Sequence, residues 1–141
     1  MKETIVLPLY IFSEVAILIR AGFEEKLQEL GLHSGQIFVL NSLFEKDGQN
    51  QKELADRLNL SSPTVFKMVK SLTSNGFVKC RKCSRDARAR RVFLTEKAIN
   101  QKTEIIQTWM ESNSYFFKSL TETEKLIFFQ LLEKIKEDLT G

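Results

Sequence analysis

The spacing of apolar residues changes period once along the chain, and this change limits the folds open to it. Through residues 7–75 and again through 95–139, apolar side chains recur every three or four positions, as in amphipathic helices. Between these parts, residues 77–81 and 91–94 form short runs with the period of strands, and they flank the polar segment 84–90. The sequence therefore predicts a mainly α fold with a small β-hairpin.

Capping residues divide the helical parts into separate helices. Asn50 with Glu53 forms a capping-box pattern, in which polar side chains satisfy the first backbone N–H groups of a helix. Glycine after an apolar run marks the opposite end, as at Gly31. The expected helices cover residues 7–30, 34–46, 50–59, 61–75, 95–119 and 121–139.

Positive charge is concentrated in one segment of the chain. The formal net charge of the 141 residues is only +3, yet residues 67–91 contain nine basic residues and one acid, a net charge of +8. The remainder has 12 basic and 17 acidic residues, a net charge of −5. A solvated charged face is one interpretation of such a segment. The other is a surface on which a polyanion binds at one region only.

Residues 50–59 and 61–75 have the pattern of a helix-turn-helix, in which the second helix enters the major groove of DNA. Its apolar stripe is buried, so the opposite face remains available. Hydroxyls and lysines can contact base edges or phosphates there, and a phenyl ring can meet a thymine methyl. The candidate DNA-binding residues on this helix are Ser61, Ser62, Pro63, Thr64, Phe66, Lys67 and Lys70.

The hairpin after this helix carries arginines that would lie beside the same duplex. Arg85, Arg88 and Arg90 are placed in its polar segment, and a guanidinium suits the narrow, electronegative minor groove. A helix pair alone is also compatible with an ordinary αα-hairpin in a helical bundle. The combination of helix pair, hairpin and concentrated positive charge instead favours a winged helix.

The motifs of this region resemble those of the MarR family in order and spacing. The matching segments are Gln51-Lys52-Glu53-Leu54-Ala55-Asp56-Arg57-Leu58, Ser61-Ser62-Pro63-Thr64-Val65, Gly76-Phe77-Val78, Asp86-Ala87-Arg88 and Leu94-Thr95-Glu96-Lys97. The resemblance extends over nearly the whole chain, although the terminal helices match only in length and apolar character. Ala87 stands at an often basic position, and Ala98 replaces the usual glycine after the Leu-Thr motif.

The resemblance implies a role for each part of the chain. Residues 61–70 would read the major groove, Arg88 would enter the minor groove, and Asp86 would brace the wing. The chain would be a single MarR-type domain over residues 1–141, with a winged-helix core at 34–95 and dimerisation helices at 1–33 and 96–141.

The resemblance also implies a homodimer in which the first and last helices of two chains interlock. Both helices carry more apolar surface than a monomer readily buries, although a large core within one chain is the alternative. A dimer would place two recognition helices about one DNA turn apart, and the double-stranded operator would be pseudo-palindromic.

A cleft between the dimerisation helices and the winged helix, taking a small aromatic or phenolic effector, is a further implication of the resemblance. Phe23, Phe38, Trp109 and Tyr115 are the candidates to line it. Aromatic residues at helical spacing are also common in a core, so both interpretations remain open.

Other sites have weaker support. Cys80 and Cys83 have metal-like spacing, but His33 is the only further soft ligand, so we expect no metal and no cofactor. Alternation on a strand predicts that Cys80 is a half-buried filler and Cys83 a surface residue. Nearby cations favour the Cys83 thiolate, which leaves an oxidant sensor as the alternative to an inert thiol. His33 is expected at a helix N-cap or simply exposed.

The sequence as a whole predicts a DNA-binding regulator rather than an enzyme. One histidine, no phosphate-binding glycine loop and no nucleophile motif leave no assembled catalytic site. The first apolar run is interrupted by Pro8, Ser13 and Glu14, so we expect a cytoplasmic protein without a membrane span. The expected function is that of a dimeric repressor released by a small-molecule ligand. The alternatives are an architectural DNA-binding protein without an inducer and a winged-helix module for protein interaction.

Overall fold

The helices begin and end close to the capping residues that the sequence identifies. The structure, a computed structural model, describes residues 7–83 and 86–141, and the side chains of residues 83–89 lie outside the described part. Its elements in chain order are α1 (Pro8–Gln28), α2 (Ser34–Glu45), β1 (Gln49–Asn50), α3 (Gln51–Leu58), α4 (Ser62–Ser74), β2 (Val78–Cys83), β3 (Asp86–Leu94), α5 (Glu96–Phe116) and α6 (Glu122–Thr140). The predicted mainly α fold is confirmed.

Local hydrogen bonds explain these boundaries. Gly31 follows α1 with φ +73°, a left-handed conformation that glycine adopts without steric cost, and the Leu32 N–H donates to the Leu27 carbonyl at 3.0 Å. At the start of α3, Asn50 Oδ1 accepts from the Glu53 N–H at 2.8 Å. Short-range pairings of this kind are available from sequence because both partners lie within one helical turn.

The sheet is larger than the predicted hairpin. Its three antiparallel strands have the order β1-β3-β2, and the two-residue strand β1 pairs Gln49 with Val92. Both hairpin strands are longer than predicted, because β2 continues to Cys83 and β3 begins at Asp86, within the segment 84–90. The register shifts between Lys82 and Cys83. A ladder is formed by backbone groups, so a ribbon that projects into solvent needs no apolar side chains and gives no hydrophobic signal.

Gln49 is a buried polar residue that closes the end of α2. Its side chain is 1% exposed, and its amide nitrogen Nε2 donates to the carbonyls of Ser42 at 2.9 Å and Lys46 at 2.6 Å. The last carbonyls of a helix have no partner within it. Gln49 supplies that partner for the Lys46 carbonyl, and it is a second donor to the Ser42 carbonyl, which also accepts from the Lys46 N–H at 3.0 Å. Its backbone pairs with β3, so one residue connects the helix end to the sheet.

The core lies among α2, α3, α4 and the base of the sheet, whereas the outer helices α1 and α6, and also α5, keep large apolar side chains exposed. Buried residues at its centre are Ile37, Leu40, Leu43, Leu54, Val65, Val69, Leu72, Phe77 and Val92. In contrast, α6 buries no residue. The exposed apolar residues of the two outer helices are Leu9, Tyr10, Ile11, Phe12, Val15, Ile17 and Leu18 of α1, with Leu126, Ile127, Leu131, Ile135 and Leu139 of α6.

His33 and Cys80 were both considered as metal ligands, and the structure tests the exposure predicted for each. His33 is the N-cap residue of α2 and its side chain is 64% exposed, as predicted. The prediction for Cys80 is wrong, because this residue is exposed rather than half-buried. Val78 is the last buried position among the described side chains of β2, and Cys80 lies beyond it on an edge strand of the sheet.

Replacing Gln49 should destabilise the protein more than replacing a neighbouring glutamine. Gln49→Ala removes the donor to the Lys46 carbonyl and one of the two donors to the Ser42 carbonyl, and it leaves a cavity at a buried site, so we expect the free energy of unfolding to fall by about 2–4 kcal/mol. Gln51→Ala is the matched control, because the Gln51 side chain forms no hydrogen bond within the described residues. Urea unfolding followed by circular dichroism measures both changes. Equal losses for the two variants would contradict this role of Gln49.

Candidate nucleic-acid interface

One face of α4 is buried and the other is open to solvent. Val65, Val69 and Leu72 are at most 2% exposed and pack in the core. The opposite face presents the polar and aromatic residues predicted to bind DNA. Ser62, Pro63, Phe66, Lys67 and Lys70 are exposed, and Thr64 is half-buried. The structure therefore leaves the predicted residues of α4 accessible along one helix, which we call the recognition helix.

The N-terminus of the recognition helix is closed by its own hydroxyls. Ser61 Oγ accepts from the Thr64 N–H at 3.3 Å and lies 2.7 Å from Thr64 Oγ1. Ser61 thus caps the helix, as expected from the sequence, and its hydroxyl shares a hydrogen bond with that of Thr64. Ser62 and the side chains beyond it remain for contact with a duplex.

A tight turn sets the angle between α3 and the recognition helix. Asn59 adopts a left-handed conformation with φ +52°, and the Leu60 N–H donates to the Ala55 carbonyl at 3.0 Å. Asparagine tolerates this region better than most residues with a Cβ. The pair α3 and α4 therefore has the geometry of a helix-turn-helix, with the exposed face of α4 directed away from the core.

The hairpin brings basic residues opposite one another, and the sequence analysis did not find this pairing. In the ladder, Lys82 faces Arg90 and Arg81 faces Arg91. Like charges directly opposite each other destabilise an antiparallel pair, so this arrangement is favourable only where a polyanion or counterions offset the repulsion. We call the exposed residues Lys79, Arg81, Lys82 and Arg90 the cationic ribbon.

The four paired cations differ in their surroundings. Arg91 is held by the protein, because its Nη1 donates to the Gly48 carbonyl at 2.9 Å and lies 3.9 Å from Glu53 Oε1. The Arg81 guanidinium lies 5.7 Å from the centre of the Phe93 ring. Lys82 and Arg90 form no ion pair with any described side chain. Lys79, which is also exposed, forms no ion pair with a described side chain either, so these three residues of the ribbon are available to bind phosphate.

The predicted residues at the tip fall outside the detailed description. Arg85 lies outside the described residues. Asp86 and Arg88 belong to β3, but their side chains are outside the described part, as is the side chain of Cys83. Their expected roles in bracing the wing, entering the minor groove and sensing oxidants remain predictions.

Two polar contacts connect α1 to the recognition helix through α2. The Glu24 carboxylate accepts from the Ser34 hydroxyl and from the Ser34 N–H, the latter at 2.9 Å. The Ser34 hydroxyl is the main cause that lowers the pKa of Glu24, against the opposing effect of burial. Two residues further along α2, Gln36 Nε2 donates to Ser71 Oγ of the recognition helix at 2.6 Å. A displacement of α1 can therefore reach α4 through side chains of one helix.

Three of the four predicted cleft aromatics lie together. The Trp109 ring is 5.3 Å from that of Phe23 and 6.1 Å from that of Phe38, both in edge-to-face geometry. We call these three residues the aromatic cluster. Trp109 is 38% exposed and Phe38 50%, so the cluster is open to solvent. It joins the outer helix α1 and the helix α5 to α2 of the winged helix.

Tyr115 lies in a different place on α5. Lys26 and Lys118 stack on its ring with their Nζ atoms 5.2 and 4.3 Å from the centroid. It borders a groove of about 320 Å³, whose other lining residues are Gly22, Glu25, Lys26, Glu29 and Phe116. Tyr115 and the aromatic cluster are thus two separate candidate sites.

Other functional sites find little support in the part of the chain that the structure describes. No three His, Cys, Asp or Glu side chains there are grouped so that they could hold a metal ion. None of the helices in that part combines the length and apolar character needed to cross a membrane.

Sequence comparison matches this architecture to known regulators. The MarR family profile matches residues 32–89. YwoH of Bacillus subtilis (strain 168), described as an uncharacterized HTH-type transcriptional regulator, is 31% identical over 119 residues, covering 84% of this chain and 86% of YwoH. BilQ of Clostridium symbiosum (strain WAL-14163), an HTH-type transcriptional regulator, is 27% identical over 79% of this chain and 78% of BilQ.

Solved structures give the same result. A MarR protein from Peptoclostridium difficile superposes with a TM-score of 0.86 and 25% identity, covering 99% of this chain and 92% of that one. A MarR family regulator from Listeria monocytogenes, solved in complex with 26mer DNA, has a TM-score of 0.80 and 26% identity over 99% of this chain and 91% of that one. The names of these relatives indicate regulators rather than enzymes. With its exposed recognition helix and cationic ribbon, the chain belongs to the MarR family of DNA-binding transcriptional regulators.

Proposed function

We propose that this regulator is a homodimeric repressor that occupies a pseudo-palindromic operator in the cytoplasm and leaves it when a small aromatic ligand binds. The whole chain would act as one domain, in which residues 34–95 contact DNA and the outer helices hold the dimer together. The observation that carries the proposal is that the cationic ribbon lies on a hairpin whose first strand, β2, contacts the recognition helix, because two neighbouring elements can then offer contacts to one duplex.

The homodimer is supported by apolar surface that one chain leaves uncovered. Leu126, Leu131 and Ile135 of α6 are between 51% and 61% exposed, and Leu9 and Leu18 of α1 are 70% or more exposed. Contiguous apolar surface of this kind is typical of an interface. The first and last helices lie outside the winged helix, so their pairing with a second chain leaves both recognition helices accessible.

A lysine placed in the exposed stripe of α6 should dissociate the dimer. We expect the parent protein to sediment as a dimer at micromolar concentration and Leu131→Lys to shift it to a monomer, because a charge would be buried without a partner. Glu133→Lys is the matched control, since it adds a lysine two residues along the same helix outside the apolar stripe. Analytical ultracentrifugation measures all three proteins. A parent protein that sediments as a stable monomer would contradict the dimer.

The DNA complex of the Listeria monocytogenes relative supports a similar arrangement for this chain. In it, the recognition helix would enter the major groove, where Lys67 contacts a base edge and Lys70 a phosphate. The ribbon would follow the backbone towards the minor groove, and Arg88 at its outer end would enter that groove. Narrow A·T-rich minor grooves attract arginine through their negative potential.

Two substitutions should affect different parts of the operator. Arg88→Ala should weaken binding by about 1–3 kcal/mol and relax preference chiefly at A·T-rich flanking positions, because the minor groove is read there. Lys67→Ala should relax preference within the half-site if its ammonium contacts a base edge, whereas a phosphate contact would weaken all sequences alike.

Fluorescence anisotropy with operators that carry single-base changes separates these effects when all duplexes are compared at the same salt concentration. The parent protein, Arg88→Ala and Lys67→Ala are measured on one set of duplexes, and each is repeated at a second salt concentration. Unchanged affinity and salt slope in both variants would exclude the proposed contacts and favour a winged helix used for protein interaction. Equal binding to scrambled duplex would favour the architectural alternative.

Ligand release is supported by the location of the aromatic cluster. An aromatic molecule inserted between Trp109 and Phe38 would separate α5 from α2, because each ring belongs to one of these helices. The contact between Gln36 and Ser71 would pass the movement of α2 to the recognition helix. A change in the distance between the two recognition helices of a dimer would then release the operator.

Benzoate and hydroxybenzoate anions are suitable probes, because they are small aromatic and phenolic molecules of the expected class. Trp109 is the only tryptophan of the chain, so tryptophan fluorescence reports on the aromatic cluster alone. We expect an active compound to change Trp109 fluorescence and to weaken operator binding over the same concentration range. Phe38→Ala should raise the dissociation constant of the complex with the aromatic anion, while Tyr115→Ala should leave that constant unchanged. The reverse result would place the ligand in the groove beside Tyr115. Release of the operator without any change in fluorescence would exclude the aromatic cluster as the site.

A further inference from the structure

Phe66 has a position that packing within the chain does not explain. The whole recognition helix lies in the described part of the chain, and Phe66 is its only exposed large apolar residue. The residue is 53% exposed. Its ring forms no aromatic or cation–π contact with a described residue. An exposed phenyl ring gains little for the fold but can gain a contact when a partner excludes water from it.

The polar side chains around Phe66 leave few groups for reading bases. Ser61 and Thr64 close the helix N-terminus, while Thr73 Oγ1 donates to the Val69 carbonyl at 2.7 Å and Ser74 Oγ to the Lys70 carbonyl at 3.1 Å. Each of these hydroxyls already takes part in a hydrogen bond within the helix. On the exposed face, Ser62, Lys67 and Lys70 remain as polar contacts on either side of the ring.

The position of Phe66 along the helix also suits contact with base edges. Ser62, Phe66 and Lys70 follow one another at steps of four residues, so they form one row on the exposed face. A lysine and a hydroxyl at the two ends of this row can bind phosphate or polar base atoms and hold the ring between them. The 5-methyl group of thymine is the apolar feature of the major-groove edge, and cytosine gains the same group on 5-methylation.

We propose that Phe66 is a specificity-determining residue that recognises the 5-methyl group of a pyrimidine in each operator half-site. The proposal rests on the proposed function, because it requires the recognition helix to lie in the major groove. The normal source of the methyl group is thymine, and 5-methylcytosine provides an independent source. The ring buries the methyl group, and Ser62 and Lys70 at either end of its row exclude water from the contact.

The experiment removes one methyl group from the DNA at a time. Duplexes that bind the full-length protein are first selected from a random-sequence pool, and each half-site thymine is then replaced by uracil, which changes no hydrogen-bonding group. We expect one position in each half-site at which the dissociation constant rises about four-fold, as for the loss of one buried methyl group. In Phe66→Ala, uracil and thymine should bind equally at that position.

Three controls separate methyl recognition from general weakening. Phe66→Leu should keep part of the preference for thymine, because leucine retains apolar contact. Lys67→Ala should bind less tightly but keep the full difference between thymine and uracil. With cytosine at the same position, 5-methylation should strengthen binding to the parent protein about four-fold and leave Phe66→Ala unaffected. Thermal unfolding of Phe66→Ala should match the parent, since the ring is exposed.

Other outcomes overturn the proposal. Selected duplexes without a half-site thymine, or a parent protein indifferent to uracil at every position, would exclude recognition of the methyl group while leaving operator binding intact. An equal preference for thymine in the parent protein and Phe66→Ala would assign the methyl contact to another residue. A pool from which no sequence is enriched would contradict the proposed function itself, and the present proposal with it.

Discussion

Burial of a single apolar stripe on α4 determines which side chains of this helix can reach DNA. Val65, Val69 and Leu72 anchor the helix against the core, so its rotation about its own axis is fixed. A rotation by one residue position would bury Phe66 or Lys70 and expose the stripe. The choice of DNA-facing residues is thus made by the core, and the cap at Ser61 sets where along the helix the available face begins.

The same constraint connects the rest of the molecule to the recognition helix. The helix α2 contributes Ile37, Val39, Leu40 and Leu43 to the core that holds α4. Its start contacts α1 through Glu24 and Ser34, and its end is closed by Gln49. Gln49 also belongs to β1, which pairs with the hairpin strand β3. The orientation of the hairpin and the orientation of α1 are therefore both fixed by contacts with α2. A regulator that must hold two reading elements on one duplex needs such a shared support.

Local features of the fold could be predicted from sequence, and features that join distant residues could not. The caps at Asn50 and Ser61 were predictable because donor and acceptor lie within one turn. The strand β1 was missed because two residues have no period, and its pairing with Val92 spans more than forty positions. The opposition of Lys82 and Arg90 depends on register, which the irregular spacing near the bulge conceals. The exposed state of Cys80 depends on where the core ends, which strand alternation does not encode.

The opposed cations of the ribbon give dissolved salt two contrary effects on this protein. Mobile anions screen the repulsion between Lys82 and Arg90 over about 8 Å at physiological ionic strength, so added salt stabilises the paired strands of the unbound protein. The same anions compete with phosphate and weaken the complex with DNA. In the complex, the nucleic acid itself takes over the screening, and the ribbon is then most stable where it is bound. The same positive charges therefore determine both the stability of the hairpin and its affinity for DNA.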